Sequence, residues 1–353
     1  MPRPRLLAPS RILRSTPRQI GGGRSREALV RRARESIEKG SKSFAMASRL
    51  FDRHTREKAW LLYAWCRRCD DIADGQDHGG ELKLDEADAK DRIEAIRVLT
   101  RRALDGQPTA ELAFDALGQV AMEAGLTQDM TDDVIEGFAL DAAGWRPRSE
   151  LDMMRYCYHV AGAVGVMMAQ VMGVPADDQD TLDRACDLGL AFQLNNIARD
   201  VWEDDAAGRC YLPMEWLVEA DIPPGQHMKP QYRGKLVELV ARMVGMAEQH
   251  EAAARLGAAR LGFRQRWAIL SAANIYGAIG REVRARGAAA WDHRVHISKT
   301  AKLRHVARAF REALRKPPEP EQMPRWTRGE ILVAVRMAGP VAPIPMTPLP
   351  DDF

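Results

Sequence analysis

One stretch of the sequence places acidic residues on a helix where they weaken it. In residues 63–74, YAWCRRCDDIAD, the side chains of Tyr63, Arg67, Asp70 and Asp74 are four, three and four positions apart. Residues with these spacings line one face of an α-helix. Asp70 and Asp74 are like charges one turn apart, which costs about 0.2–0.5 kcal/mol, and they lie near the negative end of the helix dipole. A bound cation would reverse both penalties.

A second stretch, far along the chain, repeats this arrangement. In residues 193–204, QLNNIARDVWED, the side chains of Gln193, Asn196, Asp200 and Asp204 are three, four and four positions apart. The two matching faces predict one metal site shared between two helices. Oxygen ligands from Asp and Asn suit Mg2+, which binds through one or two carboxylates, waters and substrate phosphate. We therefore expect Mg2+, with Mn2+ as a substitute.

Each acidic face also carries an arginine within one turn of its carboxylates, Arg67 in the first and Arg199 in the second. Guanidinium groups bind phosphate oxygens through paired hydrogen bonds, so the two faces together predict a diphosphate site. A single helix end rich in Asp and Arg is more often a solvated surface. The match between two distant stretches is what favours a functional site.

A short polar loop is predicted at residues 40–44, GSKSF. Ser41, Lys42 and Ser43 offer hydroxyl, ammonium and backbone N–H groups to an anion. Such loops are common, so this one is weak evidence for a phosphate site when taken alone.

The rest of the chain has helical periodicity and no sustained alternating pattern or hairpin dipeptide, which predicts an all-helical fold. With 353 residues, 46% of them hydrophobic, it can bury a sizeable core. Three segments are expected: a basic, disordered leader over 1–25, a helical domain over 26–316 and a proline-rich tail over 317–353. The predicted helices span residues 26–39, 56–74, 85–104, 109–124, 128–141, 156–173, 232–260, 263–286 and 300–316.

Charge, cysteines and hydropathy limit the cellular setting. The net charge is only +3, which gives no case for a nucleic-acid partner, although seven arginines precede the first acid, Glu27. The leader is therefore also a candidate membrane-surface anchor or transit-like segment. No apolar run is long enough to span a membrane, and the five cysteines have no disulfide or zinc spacing. We expect a cytoplasmic protein that contacts the inner face of the membrane peripherally.

Residues 156–173, YCYHVAGAVGVMMAQVMG, form a helical pattern that contains Gly162 and Gly165. Each glycine costs about 1 kcal/mol relative to alanine in a helix. Small residues here allow either close packing of two helices or space for an apolar ligand. The sequence leaves both explanations open.

Four segments together resemble the signature segments of bacterial phytoene synthases: YAWCRRCDDIAD, NNIARDVWEDDAAGRCYLP, GSKSF and YCYHVAGAVG. These enzymes belong with the squalene and dehydrosqualene synthases among the head-to-head prenyl synthases. The resemblance covers roughly residues 36–310. It implies a single domain of the isoprenoid-synthase type, an all-helical bundle around a central cavity.

The resemblance also implies roles for individual residues. The metal ligands would be Asp70, Asp74, Asn196, Asp200 and Asp204, facing each other across the cavity mouth. Arg67 and Tyr211 would complete the catalytic group. The substrate would be bound by Ser41, Lys42, Ser43, Tyr63, Gln193, Arg199 and Arg294 at the diphosphates, and by Phe44, Tyr156 and Tyr276 along the chains or carbocations.

The implied reaction joins two geranylgeranyl diphosphates through a cyclopropyl diphosphate to phytoene, with release of diphosphate. No reduced nicotinamide is expected as a cofactor, and downstream carotenoid enzymes are possible partners. Three alternatives stay open. They are a squalene- or dehydrosqualene-type synthase that uses farnesyl diphosphate, a non-catalytic helical protein at the membrane surface, and a dimetal oxidase. The oxidase would need Glu-x-x-His pairs, which the sequence does not contain.

Overall fold

The structure is a computed structural model that describes residues 18–75 and 86–338, except for the side chains of residues 42, 43 and 86–88. Within these ranges it contains fourteen α-helices and no β-strand, so the predicted all-helical fold is confirmed. The helices are α1 Arg26–Gly40, α2 Lys42–Ser48, α3 Arg53–Ala73, α4 Glu86–Leu104, α5 Leu112–Ala124, α6 Gln128–Ala142, α7 Glu150–Cys157, α8 Ala163–Val171, α9 Gln179–Ala206, α10 Met214–Glu219, α11 Arg233–Ala258, α12 Phe263–Arg286, α13 Lys299–Ala313 and α14 Arg328–Met337. A π-helical segment, Tyr158–Gly162, joins α7 to α8.

Short polar side chains fix where several helices begin. Ser25, Asp52 and Asp178 each accept a hydrogen bond from the backbone N–H three positions on, at the starts of α1, α3 and α9. α5 begins three residues later than the helix predicted to start at Thr109. There the Asp115 carboxylate accepts hydrogen bonds from both the backbone N–H and the hydroxyl of Thr109, which competes with helix formation.

The GSKSF segment, predicted as a loop, instead forms the start of α2. The Ser41 hydroxyl accepts a hydrogen bond from the Phe44 backbone N–H, so Ser41 is an N-cap. The predicted anion contacts of the Lys42 and Ser43 side chains lie outside what the structure describes.

Helix α9 is the central helix of the fold. Its residues 186–191 are all buried, and six consecutive buried positions cover every side of a helix. It contacts α7, α8, α11, α12 and α14. Other helices therefore pack around α9, and its acidic residues Asp200 and Asp204 lie in the last two turns of this packed helix.

Glycines bring α8 and the π segment close to α9. A methyl group on Gly165 would overlap the carbonyl oxygen of Ala185, and one on Gly189 would overlap the carbonyl oxygen of Ala161. The same two glycines also line an internal cavity. Of the two glycines in residues 156–173, Gly165 both packs closely against α9 and lines the cavity, whereas Gly162 packs against Cys186 of α9 and is not among the lining residues.

Both predicted terminal segments include residues that contact the helical core. The Gln19 backbone N–H donates to the carbonyl oxygen of Gly106 at 2.7 Å, and Arg24 pairs with Asp115 at 2.9 Å. In the predicted tail, Ile331 of α14 is buried. Residues 1–17, 76–85 and 339–353 lie outside the described residues.

No helix in the described part of the chain combines the length and the hydropathy that crossing a bilayer requires.

Candidate active site

An internal cavity of about 340 Å³ lies between α2, α3, the π segment, α8, α9, α11 and α12. Most of its lining is apolar, from residues such as Phe51, Met168 and Ile269. Polar side chains enter the lining from α2, α3, α9 and α12. They are Ser41, Tyr63, Thr181, Arg184, Gln193, Asn196 and Tyr276.

Aromatic side chains line the cavity in two contacting pairs. Phe44 and Tyr63 have ring centroids 5.7 Å apart, and Phe192 and Tyr276 are stacked with centroids 4.3 Å apart. Tyr276 also shares a hydrogen bond with Ser41, and burial raises the pKa of its phenol. All four rings line this largely apolar space.

The acidic face of α3 continues from Tyr63 beyond the cavity. Arg67 pairs with Asp70 at 2.9 Å and with Asp71 at 2.6 Å. Burial, and next the neighbouring charge of Asp74, raise the pKa of Asp70. Asp74 itself is the C-cap residue of α3, so the predicted position of this pair at the negative end of the helix is confirmed.

The acidic face of α9 likewise continues from Asn196 toward the end of its helix. Asp200 accepts hydrogen bonds from Arg199 at 2.7 and 2.5 Å and pairs with Arg294 at 2.8 Å. Burial, and then the charge of Asp200, raise the pKa of Asp204 to about 7. Arg199 and Arg294 thus offset the charge of Asp200, and the raised pKa of Asp204 reduces the negative charge that Asp204 carries. Both effects act at a helix end where negative charge is unfavourable.

A contact across the two helices brings the acidic faces together. Arg209, in the loop after α9, lies 3.4 Å from Asp74 at the end of α3. Asp141 of α6 is close enough to both ends for its charge to affect Asp204 and to feel that of Asp74. The two faces therefore belong to one electrostatic site.

Asp141 has a place in this site that sequence reasoning missed. Its carboxylate accepts hydrogen bonds from Tyr211 at 2.7 Å and from Tyr156 at 3.0 Å, and the two phenol rings stack with centroids 4.6 Å apart. Burial raises the pKa of Asp141 to about 6. Residues 128–141 do place Asp129, Asp133 and Glu136 at helical spacing, but Asp141 lies five positions beyond Glu136, so that spacing does not mark it.

Tyr156 differs from its expected position along the substrate chains. It is buried between Tyr211 and Trp145, at ring-centroid distances of 4.6 and 5.9 Å, and is not among the described residues that line the cavity. Its hydroxyl group points to Asp141 instead.

The donor set fits a hard divalent cation, although the residues are not arranged as a cage. Among the side chains that the structure describes, no three from His, Cys, Asp and Glu converge on one point. The available donors are carboxylate and amide oxygens, the type that Mg2+ prefers. Arginines pair with Asp70, Asp74 and Asp200. Because Mg2+ uses few protein ligands and substrate phosphates, a preformed cage is not required.

The fold and the site define an all-helical protein of the isoprenoid-synthase type, with an apolar cavity and two acidic helix ends. The chain belongs to the squalene/phytoene synthase family, whose model matches residues 37–301. The resemblance expected from the sequence is therefore confirmed.

Relatives and solved structures agree with this membership. A phytoene synthase of Pseudescherichia vulneris is 44% identical over 292 residues, which cover 82% of this chain and 94% of the relative. A 15-cis-phytoene synthase of Pantoea ananas is 42% identical, covering 85% of this chain and 98% of the relative. A crystal structure of a dehydrosqualene synthase matches with a TM-score of 0.71 and 25% identity, over 80% of this chain and 96% of that one.

Proposed function

We propose that this protein joins two geranylgeranyl diphosphates head to head, through a cyclopropyl diphosphate, to form phytoene. The observation that carries the proposal is the contact between Arg209 and Asp74, which joins two acidic, arginine-rich helix ends whose faces continue into an apolar cavity. Relatives named phytoene synthase, 42–44% identical over most of the chain, support the longer substrate.

The acidic residues would hold Mg2+, which when bound stabilises the negative charge of the leaving diphosphate. The ligands we propose are Asp70, Asp74, Asn196, Asp200 and Asp204. Asp70, Asp74 and Asp200 must then exchange their present arginine partners for the cation. Arg67, Arg199, Arg209 and Arg294 would be released toward the diphosphate oxygens, where guanidinium groups bind in pairs of hydrogen bonds.

The cavity would hold the hydrocarbon chains and exclude water from the reacting carbons. Its aromatic pairs, Phe44 with Tyr63 and Phe192 with Tyr276, offer π faces that attract a passing carbocation. Ser41 and Gln193 would bind the diphosphate end at the polar part of the lining. A dry, aromatic-walled space protects cations that water would quench.

Tyr156 and Tyr211 would act through Asp141 and not by direct contact with the chains. Both phenol hydroxyls donate to that carboxylate, and burial raises their pKa values, so neither phenol ionises near neutral pH. We infer that this trio orients the loop that carries Arg209 beside Asp74. Another group would then accept the proton that is lost in the last step, and the released diphosphate is one candidate.

The cellular setting is the cytoplasm, at the inner face of the membrane. The five cysteines are all free thiols, which supports a reducing compartment. Downstream carotenoid enzymes would receive the product.

The test is an assay of the purified protein with each candidate substrate. Geranylgeranyl diphosphate with Mg2+ should give a C40 hydrocarbon, EDTA should abolish its formation, and added Mg2+ should restore it. Mn2+ should restore part of the activity. Turnover of farnesyl diphosphate alone would instead assign a dehydrosqualene- or squalene-type reaction. Activity that survives exhaustive chelation would contradict the metal site.

A catalytically dead control separates turnover from binding alone. Asp200→Asn should lose product formation while the protein remains folded by circular dichroism. If neither substrate reacts and the Asp200→Asn variant leaves cellular phytoene unchanged, the protein is a non-catalytic member of the family.

A further inference from the structure

Helix α13 exposes a stripe of large apolar side chains. Leu303 and Phe310 of α13 and Leu314, its C-cap residue, are 63%, 40% and 65% exposed, and their spacings of seven and four place them on one side of the helix. Phe263, which is 41% exposed, contacts Phe310 edge to face at 5.5 Å and extends the stripe onto α12. Single exposed apolar residues are ordinary, but an aligned set of four marks an interaction surface.

A row of arginines runs beside this apolar stripe. Arg304, Arg308 and Arg311 of α13 and Arg315, two residues past its end, are four, three and four positions apart, and all are exposed. Their row lies about 100° around the helix from the apolar stripe. Among the described residues, no carboxylate lies within ion-pair distance of Arg304, Arg311 or Arg315, whereas Arg308 pairs with Glu312. We refer to the apolar stripe and this row together as the α13 face.

A surface cavity of about 990 Å³ lies along the arginine row and is strongly positive. Arg255 and Arg266 of the neighbouring helices and Lys316 add further cations to its wall. The one carboxylate in the described lining is Glu312, and Arg255 and Arg308 already neutralise it. The cavity can therefore accept anionic groups such as phosphates.

We propose that the α13 face docks this protein onto an anionic lipid bilayer. Apolar side chains and cations side by side on one exposed helix face are the pattern of a helix that lies in the plane of a membrane surface. Leu303, Phe310 and Leu314 would enter the acyl boundary, and the arginines would bind lipid phosphates. A nucleic acid would use the arginines but leave the apolar stripe in water.

The buried side of α13 packs close to the internal cavity. Ala309 and Ala313 form a cluster with Ala258 and Leu270, and Ile269 packs against it. Ala258 and Ile269 also line the internal cavity. Helix α13 itself and the layer formed by Ala258 and Ile269 therefore lie between the α13 face and the cavity. Docking through this face would bring the cavity beside the bilayer, whichever prenyl substrate the protein uses.

The first test reverses charge in the full-length protein. Co-sedimentation would be measured with phosphatidylcholine vesicles that do or do not contain phosphatidylglycerol. Arg304→Glu with Arg311→Glu should weaken binding to the anionic vesicles at least about tenfold, because each basic residue near the surface contributes on the order of 1 kcal/mol. The control pair Arg31→Glu with Arg101→Glu makes the same charge change on exposed positions of α1 and α4.

The second test removes the apolar stripe. Leu303→Glu with Leu314→Glu should also release the protein from anionic vesicles. The control pair Val98→Glu with Met122→Glu changes apolar residues of similar exposure on α4 and α5 and should leave binding intact. None of these residues contacts the candidate active site, so turnover of detergent-dispersed substrate should match that of the unaltered protein.

Several outcomes would overturn the proposal. They are an absence of binding to anionic vesicles, equal binding to pure phosphatidylcholine, and equal losses in the control pairs. A full-length variant with Arg3, Arg5, Arg11 and Arg14 replaced by serine tests the leader. If that variant loses binding while both α13 variants keep it, the leader and not the α13 face docks the protein. If the unaltered protein binds anionic vesicles but converts neither prenyl diphosphate, the proposed function is wrong and the docking proposal stands.

Discussion

The Arg209 guanidinium lies 3.4 Å from the Asp74 carboxylate, across 135 positions of sequence. This contact joins the loop after α9 to the end of α3, and so brings the two acidic faces into one site. Both side chains are partly exposed, at 43% and 38%. An ion pair with this exposure contributes little to stability, which fits residues whose positions serve a ligand.

Replacement of Arg209 should affect turnover more than folding. Arg209→Gln removes the cation beside Asp74, and we expect kcat/KM to fall about tenfold because a charge-assisted contact to diphosphate is lost. Arg146→Gln is the matched control, since Arg146 donates to the carbonyl oxygen of Gly208 in the same loop. Steady-state kinetics and thermal unfolding of both variants would check this. Equal effects of the two changes would remove Arg209 from the site.

Two adjacent carboxylates on α9 should respond differently to the same substitution. Asp204 lies on the acidic face, whereas Asp205 points to His227 at 3.5 Å. Asp204→Asn should lower kcat about 100-fold because charge stabilisation at the diphosphate is lost. Asp205→Asn should change it little. Single-turnover assays at saturating Mg2+ would compare them, and a strong loss in the Asp205 variant would contradict the assigned face.

The glycine contacts around α9 predict opposite effects of two glycine-to-alanine changes on stability. Gly189→Ala places a methyl group against the carbonyl oxygen of Ala161, and overpacking of this kind costs about 1–3 kcal/mol. Gly245→Ala in α11 meets no atom within 4 Å and should stabilise the helix by about 0.5–1 kcal/mol. Urea unfolding measures both free energies. A neutral Gly189→Ala would show that the π segment and α9 can separate at no cost.

The buried carboxylate of Asp141 predicts a pH-dependent stability. Burial raises its pKa from the usual 3.8 to about 6, so the folded protein binds this proton more tightly than the unfolded chain does. The contribution to the free energy of unfolding is therefore fully present below pH 3.8 and is lost as the pH rises through 6. The Asp141→Asn variant has an amide at this position, which does not titrate.

The measurable quantity is the difference in free energy of unfolding between the unaltered protein and Asp141→Asn. This difference should favour the unaltered protein more at about pH 4.5 than at about pH 7.5. Asp133→Asn serves as a comparison, because Asp133 also accepts a hydrogen bond from a tyrosine, Tyr158, outside the site. A pH-independent difference for Asp141→Asn would show that its carboxyl group titrates normally.

Local sequence patterns were enough to predict where the helices lie and which side chains share a helix face. The predicted boundaries of the helix over 263–286 match α12, and the predicted α1, α3 and α13 end within three residues of the observed helices. Spacing alone placed Asp70 and Asp74 on one face of α3, because a helix repeats every 3.6 residues wherever it lies. The prediction of a loop for the GSKSF segment was wrong, since an N-cap serine and a polar loop have the same composition.

The sequence by itself determined an all-helical chain, the two acidic faces, and through its motifs the family to which the chain belongs. Only the tertiary structure decided that Arg209 meets Asp74, that Asp141 holds Tyr156 and Tyr211, and that Tyr156 lies outside the cavity. The reason is physical. Helical periodicity follows from local backbone geometry, whereas contacts between distant segments depend on how the whole core packs, which no single stretch of residues encodes.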